Sequence, residues 1–150
     1  MIDIFWNENK YLSNFYISPV SFEGWEYWSV EHAYQSIKTL DLEWRKKVQE
    51  CSTPGKAKRI GLKVPMRPDW ETIKYDVMRA LVLQKFTNHL DIREKLLATG
   101  DQELIEENTW GDKIWGQVKN AEGVYEGQNL LGKILMSVRE ELKNFNVKEI

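Results

Sequence analysis

SVEHAYQSIK, Ser29 to Lys38, is the stretch whose reading decides this fold. Read as a helix it lines Glu31, Gln35 and Lys38 along one face, because side chains three and four apart share a stripe. Ser29 offers a side-chain oxygen to the first free backbone amides, and Glu31 falls near the positive end of the helix dipole. Tyr34 flanks the stripe and His32 points elsewhere. Glu31 and Lys38 stand roughly 10 Å apart along the axis, at about 1.5 Å per residue, which is too wide for a direct pair. That gap suits two long side chains leaning toward one small molecule. A solvated polar face would give the same pattern.

Upstream of that helix the chain reads as short strands and turns: Ile2 to Trp6, then LSNFY (12–16), then VSFEGWEYW (20–28) with Glu23 and Gly24 at a hairpin tip. Downstream, helices dominate. Leu42 to Glu50 is weakly amphipathic, and Thr53 followed by Pro54 starts a helix that Gly61 stops. VPMRPD breaks the pattern, after which Asp69 caps a long helix from Trp70 to about Asn88, with Trp70, Ile73, Val77, Leu81 and Val82 at helical spacing. Asp91 with Glu94 makes a capping-box start for a short helix ended by Gly100. DQELIEENTWGDKIWG (101–116) favours a short strand followed by a loop, and loops of this kind often carry function. The last helix runs from about Asn129 to Phe145, burying Leu130, Leu131, Ile134, Leu135, Val138 and Leu142, with Gly132 admitting a close neighbour. There is no internal repeat, low-complexity tract or linker. The expected architecture is a single domain over residues 1–150, mainly α within an α+β arrangement, with a few short N-terminal and loop strands.

The chain has 150 residues, 42% hydrophobic and 29% charged, as a folded globular protein does. Its formal net charge of −2 provides no overall basic field, which argues against long duplex nucleic acid as the main partner. One cysteine, Cys51, rules out an internal disulfide, and with only two histidines a structural zinc site is not expected. The expected compartment is the cytosol. No apolar run approaches the roughly 18 residues needed to span a bilayer, and MIDIFWNENK lacks the basic start and apolar stretch of a signal peptide. Seven Trp, six Tyr and five Phe are the unusual count. Many of these rings sit beside polar residues, which suits a planar ligand, although core filling also accounts for such rings.

Two further constellations accompany the helix stripe. GKAKR, Gly55 to Arg59, with Arg67 concentrates positive charge that attracts a phosphate-bearing ligand or simply makes a solvated basic face. It lacks the GxxxxGK[ST] spacing of a P-loop. TWGDKIWG, Thr109 to Gly116, sets Asp112 between two tryptophans and two glycines, an arrangement for stacking a base and holding a hydroxyl or a cation, or else a tight turn with buried rings. His32 and His89 are far apart and in no metal-binding motif, so no metal is expected. Cys51 has no histidine near it in sequence and is read as a plain thiol.

LSNFY, an aromatic and glycine before SVEHAYQSIK, GKAKRIG, RPDW, LQKF, LLATGDQELIEE, GDKIWG and GQNLLGKILMSVRE follow one another over nearly the whole chain. In that order they resemble the NADAR family, also called YbiA-like. The resemblance implies a mostly helical fold, no cofactor or required metal, and N-glycosidase activity. Substrates in that family are phosphoribosylamino-pyrimidine intermediates of riboflavin synthesis, or ADP-ribose attached to guanine. Carried over by motif, Glu31 and Lys38 match the acid and lysine of the EHAYQ helix, Trp70 the RPDW aromatic, Asp112 and Trp115 the D-x-x-W-G loop, and Asn14 and Asn129 ligand-facing polar positions. The expected catalytic set is therefore Glu31, Lys38 and Asp112. The expected substrate-binding set is Asn14, Phe15, Tyr34, Arg67, Trp70, Trp115, Gly116 and Asn129; Lys113 has no assigned role.

The chemistry fits, because breaking an N-glycosidic bond builds positive charge on the sugar that a carboxylate stabilises. Lys38 offers either a covalent route through a Schiff base or support for direct water attack, and the sequence leaves both open. The expected partner is a small ribosylated base or ADP-ribosylated nucleotide, with modified nucleic-acid ends as a further class and no membrane. The alternative is a non-catalytic module that binds ADP-ribose or a related nucleotide.

Overall fold

Side-chain oxygens placed just before three successive helices organise the middle of the chain. In the computed structural model, which describes residues 1–3 and 5–148, the contacts divide the chain into two compact units, Asn14–His89 and Met1–Ser13 with Leu90–Ile150.

The first unit opens with a hairpin, β1 (Val20–Phe22) antiparallel to β2 (Trp25–Tyr27), with Val20 opposite Tyr27. Glu23 and Gly24 both take positive φ, 51° and 85°, at its tip, the backbone twist that tight hairpins need. Then come α1 (Val30–Ile37), α2 (Leu42–Gln49), α3 (Pro54–Gly61) and α4 (Trp70–Asn88). Ser29 Oγ accepts the His32 amide, Asp41 Oδ1 accepts those of Glu43 and Trp44, and Thr53 Oγ1 accepts that of Lys56. Each cap satisfies amides that a helix start leaves unpaired. Every residue of α1 is buried, and the helix lies against α2, α3 and α4. Eight residues make a marginal helix in water, so α1 exists because Val30, Ala33 and Ile37 are enclosed. Asp69 stands at the start of α4 as expected, but its carboxylate binds Arg67 instead of capping amides. The buried face of α4 is Trp70, Val77, Met78, Leu81, Val82, Lys85 and Phe86.

In the second unit Ile2 bridges Leu104, with Ile2 N donating to Glu103 O at 2.8 Å and Ile105 N to Ile2 O at 2.9 Å. Of the strand expected over residues 2–6, the described residues keep that bridge, and position 4 lies outside them. Asn7–Leu12 is a 3-10 helix and residues 13–16 are bends and turns, so LSNFY contributes turns and no strand. NENK has no alternating apolar residues to hold a strand. The helix α5 (Leu90–Ala98) begins at Leu90, ahead of the expected Asp91 box, and Gly100 follows it at φ 63°. Glu107 bridges Gln117, and a small hairpin, β3 (Val118–Lys119) with β4 (Tyr125–Glu126), leads to α6 (Leu130–Lys148). Leu131, Ile134, Leu135, Val138 and Leu142 are buried on α6. Gly132 has no room for a side chain, since a methyl there would overlap Leu104 O and the Asn129 amide.

The fold is thus mainly helical with two small two-stranded sheets among the described residues. No helix among them is long and apolar enough to cross a membrane.

Candidate active site

The α1 stripe is held from both ends. Glu31 is 7% exposed; its backbone N donates to Asn14 O at 3.1 Å, and its Oε1 accepts from Gln35 Nε2 at 2.9 Å. Gln35 is itself 6% exposed and pressed against Gly61, where any side chain would overlap the Gln35 amide. Its Oε1 has no hydrogen-bond partner among the described residues, so the amide is oriented by its donation to Glu31. Lys38, half-buried at the end of α1, donates from Nζ to Gly61 O at 3.2 Å. Gly61 therefore seats Gln35 with its missing side chain and holds Lys38 with its carbonyl. Sequence spacing marked it only as a helix stop.

Burial pushes the Lys38 amine below the ordinary lysine range; the Glu31 carboxylate opposes this and the Lys58 cation adds to it. Lys58, on α3, lies 6.0 Å from the centroid of the Phe15 ring. Phe15 is substantially exposed, the accessible ring of this neighbourhood. Tyr34 and Trp70 are different. Their rings pack 4.9 Å apart at 56°, and Trp70 is only 3% exposed, so its ring faces are spent on core packing. Asn14 donates from Nδ2 to Met78 Sδ at 3.4 Å, while its buried Oδ1 has no hydrogen-bond partner among the described residues.

Arg67 closes the end of α1. Its backbone N donates to Lys38 O at 2.9 Å and its guanidinium reaches Ile37 O at 3.4 Å. The same guanidinium forms a two-pronged pair with Asp69, at 2.7 and 3.2 Å. That pairing offsets much of the charge expected to attract phosphate. His32 is fully buried, bonded to Ser29 Oγ at 2.7 Å and Cys51 O at 2.9 Å, and burial lowers its pKa.

The GDKIWG loop belongs to the other unit. Asp112 Oδ1 accepts the amides of Ile114 and Trp115, both at 3.0 Å, and Asn108 clasps the Asp112 backbone through N and O. Gly116 is buried where a side chain would overlap Glu106 O. The loop carbonyls of Ile114, Trp115 and Gly116 accept the amides of Leu130, Leu131 and Asn129, satisfying donors at the start of α6. The Asn129 side chain joins Leu104 O to the Glu106 amide, a structural duty that its motif position did not disclose. Lys113, unassigned from sequence, pairs with Glu126 at 3.1 Å.

Thus Asn14, Phe15, Glu31, Tyr34, Lys38, Arg67 and Trp70 lie in one unit, and Asp112, Trp115, Gly116 and Asn129 in one loop and helix start of the other.

Known proteins resemble this chain over most of its length. Residues 4–143 match the model of the NADAR domain. The chain is 37% identical over 132 residues to the N-glycosidase YbiA of Shigella flexneri, covering 87% of this chain and 79% of that protein. An N-glycosidase of Nostoc punctiforme is 39% identical over 144 residues, covering 93% and 89%. A riboflavin biosynthesis protein of Vibrio vulnificus is 38% identical over 135 residues, covering 89% of this chain and 35% of that protein. The NMR structure of the Escherichia coli protein YbiA superposes with a TM-score of 0.80 at 34% identity, covering 94% of this chain and 82% of that one. The chain belongs to the NADAR family.

Proposed function

We propose that this chain hydrolyses the bond between a ribose carbon and the nitrogen of a ribosylated base, with Glu31 and Lys38 as the catalytic pair. The chain is an N-glycosyl hydrolase, a class supported by its family and by relatives that carry that name. One observation carries the residue assignment: a carboxylate braced by Gln35 and an amine braced by Gly61 project from the same helix.

As the bond to the base breaks, positive charge grows on the sugar, and Glu31 stabilises it more in the transition state than before. Once it has lost its proton, the Lys38 amine is the nucleophile. Its lone pair forms a bond to the sugar carbon as the carbon–nitrogen bond to the base breaks, and the base leaves with that electron pair and takes a proton. The attached nitrogen loses a proton while the ring oxygen gains one, opening the sugar to a Schiff base. Water then adds to the same carbon and expels the amine, returning free sugar and Lys38. Asp112 is proposed as a second carboxylate for the reaction, carried over by its motif. Asn14, Phe15, Tyr34, Arg67, Trp70, Trp115, Gly116 and Asn129 are carried over as the substrate-binding set. Each within its own unit, Trp70 packs on Tyr34 and Asn129 donates to Leu104 O.

The proposed substrates are a phosphoribosylamino-pyrimidine of riboflavin synthesis and ADP-ribosylated guanine, acted on in the cytosol by residues 1–150 working as one domain. The name of the Vibrio relative supports the first substrate, and the span of the family match supports the single domain. The test is incubation with phosphoribosylamino uracil and with ADP-ribosylated guanosine. Free base from one of them is the expected result, and no release from either refutes the reading. Borohydride added during turnover should trap sugar on Lys38; trapping absent during active turnover would refute the covalent route.

A further inference from the structure

The EHAYQ run sets a histidine beside Glu31, one position off the stripe. His32 is fully buried, and its ring joins the start of α1 to a distant part of the chain. On one side Nε2 stands 2.9 Å from Cys51 O, in the connection between α2 and α3. A carbonyl oxygen can only accept, so Nε2 carries the proton. Nδ1 of the neutral ring then holds a lone pair, and the Ser29 hydroxyl donates to it at 2.7 Å. The same Ser29 oxygen accepts the His32 backbone amide at 3.2 Å, capping α1. Both ring nitrogens and the Ser29 hydroxyl are therefore engaged, and of the two neutral tautomers only the Nε2–H form engages them all. Burial disfavours the charged ring.

We propose that His32 is a positioning residue for the reaction, and that its ring, bonded to Ser29 and to the Cys51 carbonyl, fixes the first turn of α1 and with it the Glu31 carboxylate. Glu31 lies between the two residues that this clasp holds, Ser29 and His32. Its own amide donates to Asn14 O at 3.1 Å, so the backbone around Glu31 is tied in two directions. Gly61 O holds the other end of the helix through Lys38 at 3.2 Å. A helix of eight residues has little stiffness of its own, so the seating of α1 comes from such ties. A catalytic group displaced by about 1 Å can lose on the order of a hundredfold in rate, which makes the clasp matter to the chemistry as well as to the fold. The inference rests on the assignment of Glu31 above as a catalytic carboxylate.

The first measurement needs no substitution. Nitrogen-15 NMR of the full, unaltered chain at neutral pH should show the His32 ring neutral with its proton on Nε2; a proton on Nδ1, or on both nitrogens, overturns the proposal. Two variants then separate the bonds. His32→Asn keeps an oxygen within reach of Ser29 and is too short for Cys51 O, whereas His32→Gln extends an N–H toward Cys51 O. In folded His32→Asn the Glu31 amide should exchange with solvent on the order of tenfold faster relative to the Leu81 amide of α4, which registers overall stability. An unchanged ratio overturns the clasp, even if the enzyme releases base normally. A raised ratio, where the unaltered chain releases no base, supports the clasp and refutes the N-glycosidase reading. Where the unaltered chain does release base, kcat should fall on the order of tenfold or more in His32→Asn with KM within about twofold, and recover in large part in His32→Gln. A kcat per folded molecule that stays put in His32→Asn overturns the role in the reaction.

Discussion

The Lys38 ammonium donates to the Gly61 carbonyl across 3.2 Å, joining the end of α1 to the end of α3. Gly61 also presses on Gln35, which in turn donates to Glu31, so one glycine braces both members of the proposed catalytic pair. Gly61→Ala should push Gln35 off Glu31. The expected cost is roughly 1–3 kcal/mol of stability from overpacking, with a fall in base release beyond what the folded fraction explains. Thermal melting beside a base-release assay checks this, and an unaltered rate would show that the brace is dispensable.

Gln35→Glu replaces a donor with a like-charged carboxyl beside Glu31. Two carboxylates in contact favour holding one proton, so activity should drop on the order of tenfold or more near neutral pH and recover partly as pH falls. The pH–rate profile of the folded variant reads this directly.

Asp112→Asn keeps an oxygen for the Ile114 and Trp115 amides while removing the charge. If the charge serves the reaction, turnover should fall on the order of tenfold or more with the melting temperature nearly unchanged. A fall in melting temperature at normal turnover would make Asp112 a loop clamp alone.

Lys85 is 1% exposed on α4, beside the rings of Phe86 and Tyr16 at 5.0 and 5.6 Å, and burial pushes its amine down to about 7. An unfolded lysine titrates near ~10.4. Between those values the unfolded chain binds more protons, so this group makes stability rise with pH from about 7 toward 10 and fall as pH drops through that window. Lys85→Met should flatten that slope, and an unchanged slope would contradict the lowered amine. Denaturant unfolding at several pH values measures it.

Much of this was legible in the sequence where local chemistry decides the outcome. Ser29 before VEHAYQSI and Thr53-Pro54 before GKAKRIG mark helix starts that the structure uses, and Glu23-Gly24 forms the turn it announces. The periodic face through Leu81 and Val82 extends four residues on to Lys85 and Phe86, so the buried lysine could have been found by continuing the count. What spacing did not reveal depends on distant partners. Nothing near Asn129 in sequence says that its amide will bridge residues 104 and 106, and nothing near Trp70 says that Tyr34 will cover it. The NENK segment became a 3-10 helix because no apolar alternation fixed it as a strand.

The most direct measurement is release of free base from phosphoribosylamino uracil and ADP-ribosylated guanosine by the unaltered chain, Glu31→Gln and Lys38→Met, each first shown to be folded. Release by the unaltered chain, with a loss on the order of a hundredfold or more in both variants, is the expected result. Undiminished release by both variants would contradict the assignment of Glu31 and Lys38, and no release by any of the three would contradict the reaction itself.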